Sequence, residues 1–419
     1  MKITHIHIER FRGFQNEDFE VGSLLTAIAG QNGTQKSTLL GIITQTFTLK
    51  TEDSMRVEKP LCGGSYISAF KDKFRLSPTF DKPKGHEWTI SFDAGMDDFT
   101  VESIKRTGDP NVRFWKKGTR QEGDGYISFP TIFLSLKRLV PVAEEAKIIT
   151  DDTLLTQEEL NEFKQLHNKI LIAQTPISSA TTITSKNKQS IGVSTELYDW
   201  NQNSMGQDNL GKIILALFSF KRLHDKYPRQ YKGGILAIDE MDATMYPASQ
   251  VELLKVLRKY ASKLNLQILF TTHSMSLLKA MDDLVQEVTK KEETANQAKI
   301  LYLKKVDDKI AIKQGVNFKG IQLDLNVVAE GNNRKKNRIT AYTEDKENIL
   351  FVKAILKSKA FVLDFVDVTL PCSTLMELVT KRVPAFIYPY SIVILDGDVR
   401  MNKGEFYQFN LSSCIRQQN

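Results

Sequence analysis

Residues 24–43 read LLTAIAGQNGTQKSTLLGII: a short apolar run ending in glycine, a polar turn, then apolar residues recurring on one helical face. A buried strand feeding a loop and then a helix is the context in which backbone N–H groups and the helix dipole surround phosphate. Within it, Gly30, Gln31, Asn32, Gly33, Thr34, Gln35, Lys36, Ser37 and Thr38 follow the pattern G-x-x-x-x-G-K-[ST] at all but one place. Gln35 stands where the second glycine belongs. In such a loop Lys36 reaches the outer phosphates of a nucleotide and Ser37 holds Mg2+ through its hydroxyl. A side chain at 35 threatens the loop's dihedrals, and the pattern survives if Gln35 takes helical angles and begins the helix.

Two more apolar runs end in groups that suit the same ligand. "GGILAIDE" (233–240) is a buried strand ending in Asp239 and Glu240. Acids at the tip of such a strand are costly unless a cation sits beside them. In that setting Asp239 orients the Mg2+ shell and Glu240 polarises the attacking water as a general base. The plainer reading is a strand end emerging into solvent. "QILFTTHS" (267–274) repeats the arrangement with His273 at its tip. A neutral imidazole there contacts the γ-phosphate or the lytic water, whereas the other five histidines read as ordinary polar residues. Last, "NSMGQDN" precedes a long helix at Leu210, so Ser204, Gly206 and Gln207 lie at a helix start able to meet an anion. An N-cap role explains Ser204 equally well.

Composition sets the bounds. At 419 residues two domains are expected. The chain is 41% hydrophobic and 26% charged, with no apolar run of about 18 residues and no leader pattern, so neither a membrane span nor a secretory signal is expected. Three scattered cysteines suit a reduced cytoplasm and argue against a disulfide framework or a zinc site. The net charge of +7 is compatible with nucleic acid without pointing to it. "NNRKKNR" (332–338) fits a solvated linker slightly better than a phosphate-backbone contact.

Along the chain, "ITHIHIERF" reads as a partly exposed strand, and "EWTISFDAG" with "FTVESIKRT" as a hairpin or small antiparallel lobe. Residues 156–173 form an amphipathic helix started by a capping box at Thr156 and Glu159. The polar stretch 175–190 reads as a loop, "MSLLKAM" as a short helix, and 284–300 as a charged connection. "AKILYLKKVDDKIAIKQG" is a hairpin through "VDD". The alternation of strands and helices predicts an α/β fold with a largely parallel sheet.

These motifs, in this order, resemble the phosphate loop, signature, Walker B strand and switch histidine of ABC-type ATPases of the SMC, RecF and OLD group. "IHIERFRGF" resembles that group's opening strand, "FPTIFLSLKRLVPV" resembles a segment of OLD-like members, and Tyr246-Pro247 stands where relatives often have His-Pro. The resemblance covers roughly residues 1–280. It implies an α/β ABC-type head with a mostly parallel sheet and a small antiparallel lobe, binding ATP and Mg2+. It also implies a dimer or higher oligomer with composite ATP sites, in which Ser204, Gly206 and Gln207 close on ATP held by another copy. Gln35 and the "SMGQD" signature depart from the group and imply slow hydrolysis.

The carboxy-terminal region resembles a partial Toprim-like α/β domain of OLD and Gabija nucleases. Glu344 matches its early acid, and Asp396 and Asp398 its D-x-D pair, a Mg2+ site for phosphodiester cleavage. D-G-D is also ordinary turn chemistry, and with 21 residues after Asp398 the domain is expected to be incomplete. The expected organisation is an ATPase domain over 1–325, with an insertion at about 52–125 and a helical region at about 150–200, then a basic linker at 326–340 and the Toprim-like part at 341–419. The region around "SMGQDNLGKI" resembles ATPases of Septu-type anti-phage systems (PtuA), including retron-associated forms, which work with a separate HNH nuclease. This implies a cytoplasmic assembly and sensor protein holding a partner nuclease, with DNA or retron RNA/DNA as a further partner and no membrane. A self-contained OLD-like nuclease and a RecF-like repair ATPase are the alternatives.

Overall fold

A computed structural model describes residues 1–395 except 51, 67–69, 94, 106–111, 119–120, 122–123, 140–147, 152–153, 185–188, 331–338 and 388–390. The chain divides into two compact units, residues 1–326 and 327–419.

The first unit is built on a six-stranded sheet. Its order is Lys309–Lys313, Ala298–Val306, Leu25–Gly30, Leu266–Thr272, Gly234–Ile238, Thr131–Leu134. All neighbours run parallel except the hairpin between the first two. The central strands are buried on both faces, which is why they read as continuous apolar runs. Leu25, Ala27, Leu236, Ile238, Ile268 and Phe270 belong to one core, shared with the helices Met205–Lys226, Pro247–Lys263 and Met275–Val288. Ile28, Ile235, Ala237 and Leu269 join a second core, shared with the helix Lys36–Thr44 and a five-stranded antiparallel sheet. Each Leu, Ile or Phe side chain among them, fully buried, contributes about 1.5–3 kcal/mol.

That second sheet has the order Phe14–Glu20, Ile3–Phe11, Glu87–Phe92, Phe99–Lys105, Val112–Lys116. The opening strand buries Ile3, Ile6, Ile8 and Phe11, a spacing that strict alternation does not give. Register shifts at Ile3/His5 and Ile8/Arg10 supply the difference, because each bulge carries the pleat one residue on.

Three expectations change. The stretch 175–190 is not wholly a loop: strands Ser179–Thr184 and Gln189–Ser194 pair antiparallel and bury Ile183, Ile191 and Val193. The helix expected as "MSLLKAM" runs from Met275 to Val288, because Leu284 and Val288 extend its buried stripe into the segment read as a connection. The long helix begins at Met205, not at Leu210, since Ser204 and Gln207 form a reciprocal capping box.

The second unit is a small α/β body of its own. Leu363–Phe365, Ile339–Thr343 and Ser391–Ile394 form a parallel three-stranded sheet, with helices Lys346–Leu356 and Cys372–Thr380. Its core is Ala341, Val352 and Leu363. The run 332–338 lies outside the described residues. No helix among the described residues is long and apolar enough to cross a membrane.

Candidate functional site

The sheet order sets the strand Leu266–Thr272 between Leu25–Gly30 and Gly234–Ile238, all three pointing the same way. Their carboxyl ends therefore open onto one edge, where an α/β sheet characteristically gathers ligand groups. At that edge Ser37 Oγ donates to Asp239 Oδ1 at 2.9 Å across 202 residues of sequence. Thr271 Oγ1 donates to the same oxygen at 2.7 Å and accepts from Glu240 N at 2.6 Å. The hydroxyl and the carboxylate expected to share a metal thus meet directly.

Lys36 is buried, and its Nζ donates to the carbonyls of Gly30 and Gln31 at 3.0 and 2.9 Å. Among the described residues no carboxylate lies within ion-pair range of it. Desolvation pushes its pKa down to about 8, although Glu240, Asp239 and Asp242 pull the other way. Partial burial and then the charge of Lys36 hold His273 below the usual imidazole range, which keeps it neutral, against the opposing acids Asp242, Glu240 and Asp239. The backbone N of His273 faces both carboxylate oxygens of Asp242 at 3.4 Å.

The loop keeps its turn by three residues of positive φ, Gly30, Gly33 and Gln35, and one close approach. Gly30 has φ +151, and a Cβ there would come within 2.4 Å of Leu303 O. Gln35 does not begin the helix: it caps the helix at φ 60, ψ 35, the left-handed conformation a glycine would supply. The expectation of helical angles at 35 is corrected accordingly. The first helical turn starts at Lys36, so the chain must reverse hand one residue earlier. Thr34 Oγ1 closes the loop by donating to Gln31 O at 2.8 Å, while Asn32, Gly33 and Ser37 are exposed and Thr38 is half-buried.

Ser204 Oγ accepts from Gln207 N at 3.3 Å, and Gln207 Oε1 accepts from Ser204 N at 2.8 Å. Gly206 is required where it is, since a Cβ would fall 2.5 Å from Thr244 O in the loop after Glu240. Among the described residues, none of Ser204, Gly206 and Gln207 makes a hydrogen bond or ion pair with residues 30–38, 239 or 240. Glu344 follows the strand Ile339–Thr343 in the second unit, while Asp396 and Asp398 lie outside the described residues. No group of three or more His, Cys, Asp or Glu side chains among the described residues could hold a metal ion.

Sequence reasoning missed Thr271, which ties Asp239 to the Glu240 backbone, and Asp242. A threonine pair closing an otherwise apolar strand was the available signal for the first.

No curated protein matches the chain. Among solved structures, the SMC head domain from Thermotoga maritima is similar at 14% identity and a TM-score of 0.42, over 75% of this chain and 100% of that one. The Smc head domain with an extended coiled coil bound to the C-terminal domain of ScpA, derived from Pyrococcus furiosus, is similar at 13% identity and a TM-score of 0.42, over 78% of this chain and 99% of that one. Residues 134–278 match the AAA ATPase domain family (AAA_15). That stretch begins downstream of the phosphate loop and carries Asp239, Glu240 and His273, and at this level the match is to an ATPase.

Proposed function

We propose that this chain is an ABC-type ATPase that binds ATP with Mg2+ at the edge formed by Lys36, Ser37, Asp239, Glu240 and His273. The observation that carries the reading is Lys36, a buried ammonium that among the described residues bonds only backbone carbonyls, near three acids and beside an open loop. A cation so placed is completed by an anion from outside the chain. The donor set fits the metal as well, because a serine hydroxyl and a carboxylate oxygen 2.9 Å apart are the hard oxygen ligands Mg2+ takes. Mg2+ bound there would neutralise charge on the phosphates. The N–H groups of residues 30–38 bind and orient the phosphates, and Lys36 reaches the outer ones. Glu240 takes the proton of the attacking water, and neutral His273 contacts that water or the γ-phosphate.

Among the described residues Ser204, Gly206 and Gln207 make no hydrogen bond or ion pair with their own loop, in keeping with a site completed by a second copy. The finer reading rests on the resemblance of "SMGQDNLGKI": a cytoplasmic, Septu-like assembly and sensor in anti-phage defence. It holds a separate HNH-type nuclease and meets DNA or retron RNA/DNA. One observation favours a second reading, a self-contained nuclease. Thr343 lies opposite Ile394 in parallel strands, so Glu344 and Leu395 leave the same sheet edge.

Nucleotide binding and turnover by the purified chain test the first reading. Lys36→Ala is expected to weaken ATP binding by about tenfold or more, and Glu240→Gln to keep binding while cutting turnover by about a hundredfold. A parent chain that binds no ATP refutes the site, and unchanged turnover in Glu240→Gln removes that acid from its role. Metal-dependent plasmid nicking that Asp396→Ala abolishes would transfer the nuclease to this chain.

A further inference from the structure

Arg138 has no part in the roles above, yet it is 1% exposed. It sits in the short turn Leu136–Leu139 that follows the strand Thr131–Leu134. Among the described residues its guanidinium bonds no carboxylate. Nε donates to Asn209 Oδ1 at 2.7 Å, Nη1 to the carbonyls of Leu134 and Ser135 at 3.3 and 3.1 Å, and Nη2 to Glu240 O at 2.8 Å. Burial holds its pKa down at about 10, with Asp239, Glu240 and Asp242 opposing. A charge removed from water without a bonded counter-ion costs several kcal/mol, so an apolar side chain would serve packing better here.

What the arginine does instead is fix one peptide. Glu240 has φ 50, a left-handed conformation that costs a non-glycine residue about 1–2 kcal/mol and persists only where neighbours impose it. The neighbours are Thr271 on its N–H and Arg138 on its carbonyl. Asn209 then extends the connection. It is fully buried in the helix that starts at Met205, and its Nδ2 donates to Ala243 O at 3.0 Å. Arg138 and Asn209, bonded to each other, thus grip the turn after Asp239 at both ends, and Asn209 lies two residues beyond Gln207 on the same helix.

We propose that Arg138 is a positioning residue that, through Asn209, couples the start of the helix Met205–Lys226 to the aim of the Glu240 carboxylate. Engagement of Ser204, Gly206 and Gln207 with a nucleotide on a second copy then reaches Glu240 through two side chains. The inference rests on the reading of Glu240 as the general base.

The test is a double-mutant cycle on the full chain, with ATP affinity and single-turnover hydrolysis measured separately. Arg138→Lys keeps the charge and loses the fork. It is expected to leave ATP affinity within about threefold while lowering the hydrolysis rate about tenfold or more. In a Glu240→Gln background the same substitution is expected to change the residual rate by less than about twofold, because it acts through that acid. Equal losses in both backgrounds, or no loss in the parent, overturn the proposal. If Glu240→Gln itself leaves turnover intact, it is the general-base reading that has failed. Should Arg138→Lys show no cooperative melt, Asn209→Ser takes its place in the same cycle. If neither variant folds, the pair serves the fold alone and the proposal falls.

Discussion

Replacing Gln35 by glycine restores the loop pattern, and the structure gives the direction of the effect. Gln35 caps the helix Lys36–Thr44 at φ 60, where an L-residue loses about 1–2 kcal/mol. Its Oε1 is buried with no hydrogen-bond partner among the described residues, which adds about 1 kcal/mol or more. Against this stand the backbone freedom of glycine, about 0.5–1 kcal/mol, and the packing of two half-buried methylenes, close to 1 kcal/mol. Gln35→Gly is therefore expected to stabilise the apo protein by about 1 kcal/mol, or roughly 2 °C in Tm for a unit of this size. Thermal and urea unfolding of parent and variant measure it, with ATP affinity determined alongside. A variant less stable than the parent refutes the strain argument. A variant that is more stable but loses ATP shows the glutamine side chain to be part of the site.

Two more expectations concern buried groups away from the site. His167 is 2% exposed in the helix Gln157–Leu171, and burial holds its pKa down at about 4 with only Asn168 opposing. The unfolded chain takes up that proton first, so the contribution is complete above about pH 6.5 and is lost on the way down to pH 4, a total of about 3 kcal/mol. His167→Phe should remove that part of the pH dependence in urea unfolding between pH 7 and 4.5, and an unchanged slope counts against it. Asp81, buried, accepts from Arg12 Nε and Nη2 at 3.1 Å each, from Ser77 N at 2.7 Å and from His86 at 3.0 Å. Burial opposes its charge, but these bonds hold its carboxyl below the ordinary value. Asp81→Asn is expected to cost about 3 kcal/mol by urea unfolding, and a loss below about 1 kcal/mol would mean that Arg12 and His86 find water instead.

What could be read in the chain followed from burial on both faces. "LLTAIAG", "GGILAIDE" and "QILFTTHS" are apolar enough to be central parallel strands whatever surrounds them, and the glycines of the loop and the capping box at 156 are local signals. The strands Ser179–Thr184 and Gln189–Ser194 were illegible for the opposite reason. Serine and threonine suit a turn or a strand alike, and only pairing between the two, with the helix Met205–Lys226 packed against the second, selects the strand. Gln35 was misjudged because backbone hand is set by what the loop must enclose, not by the residue's own preference.

Residue order alone determined where the apolar central strands give way to loops, since those runs and their polar ends are written locally. It could not say that Thr271 holds Asp239 against Glu240, nor that Arg138 joins Asn209 to the turn behind that acid. Those contacts span 31 to 102 positions, and only the order of strands in the sheet brings such partners within bonding distance. Hydrogen bonds act over about 3 Å, so chemistry that depends on them is decided by packing in three dimensions.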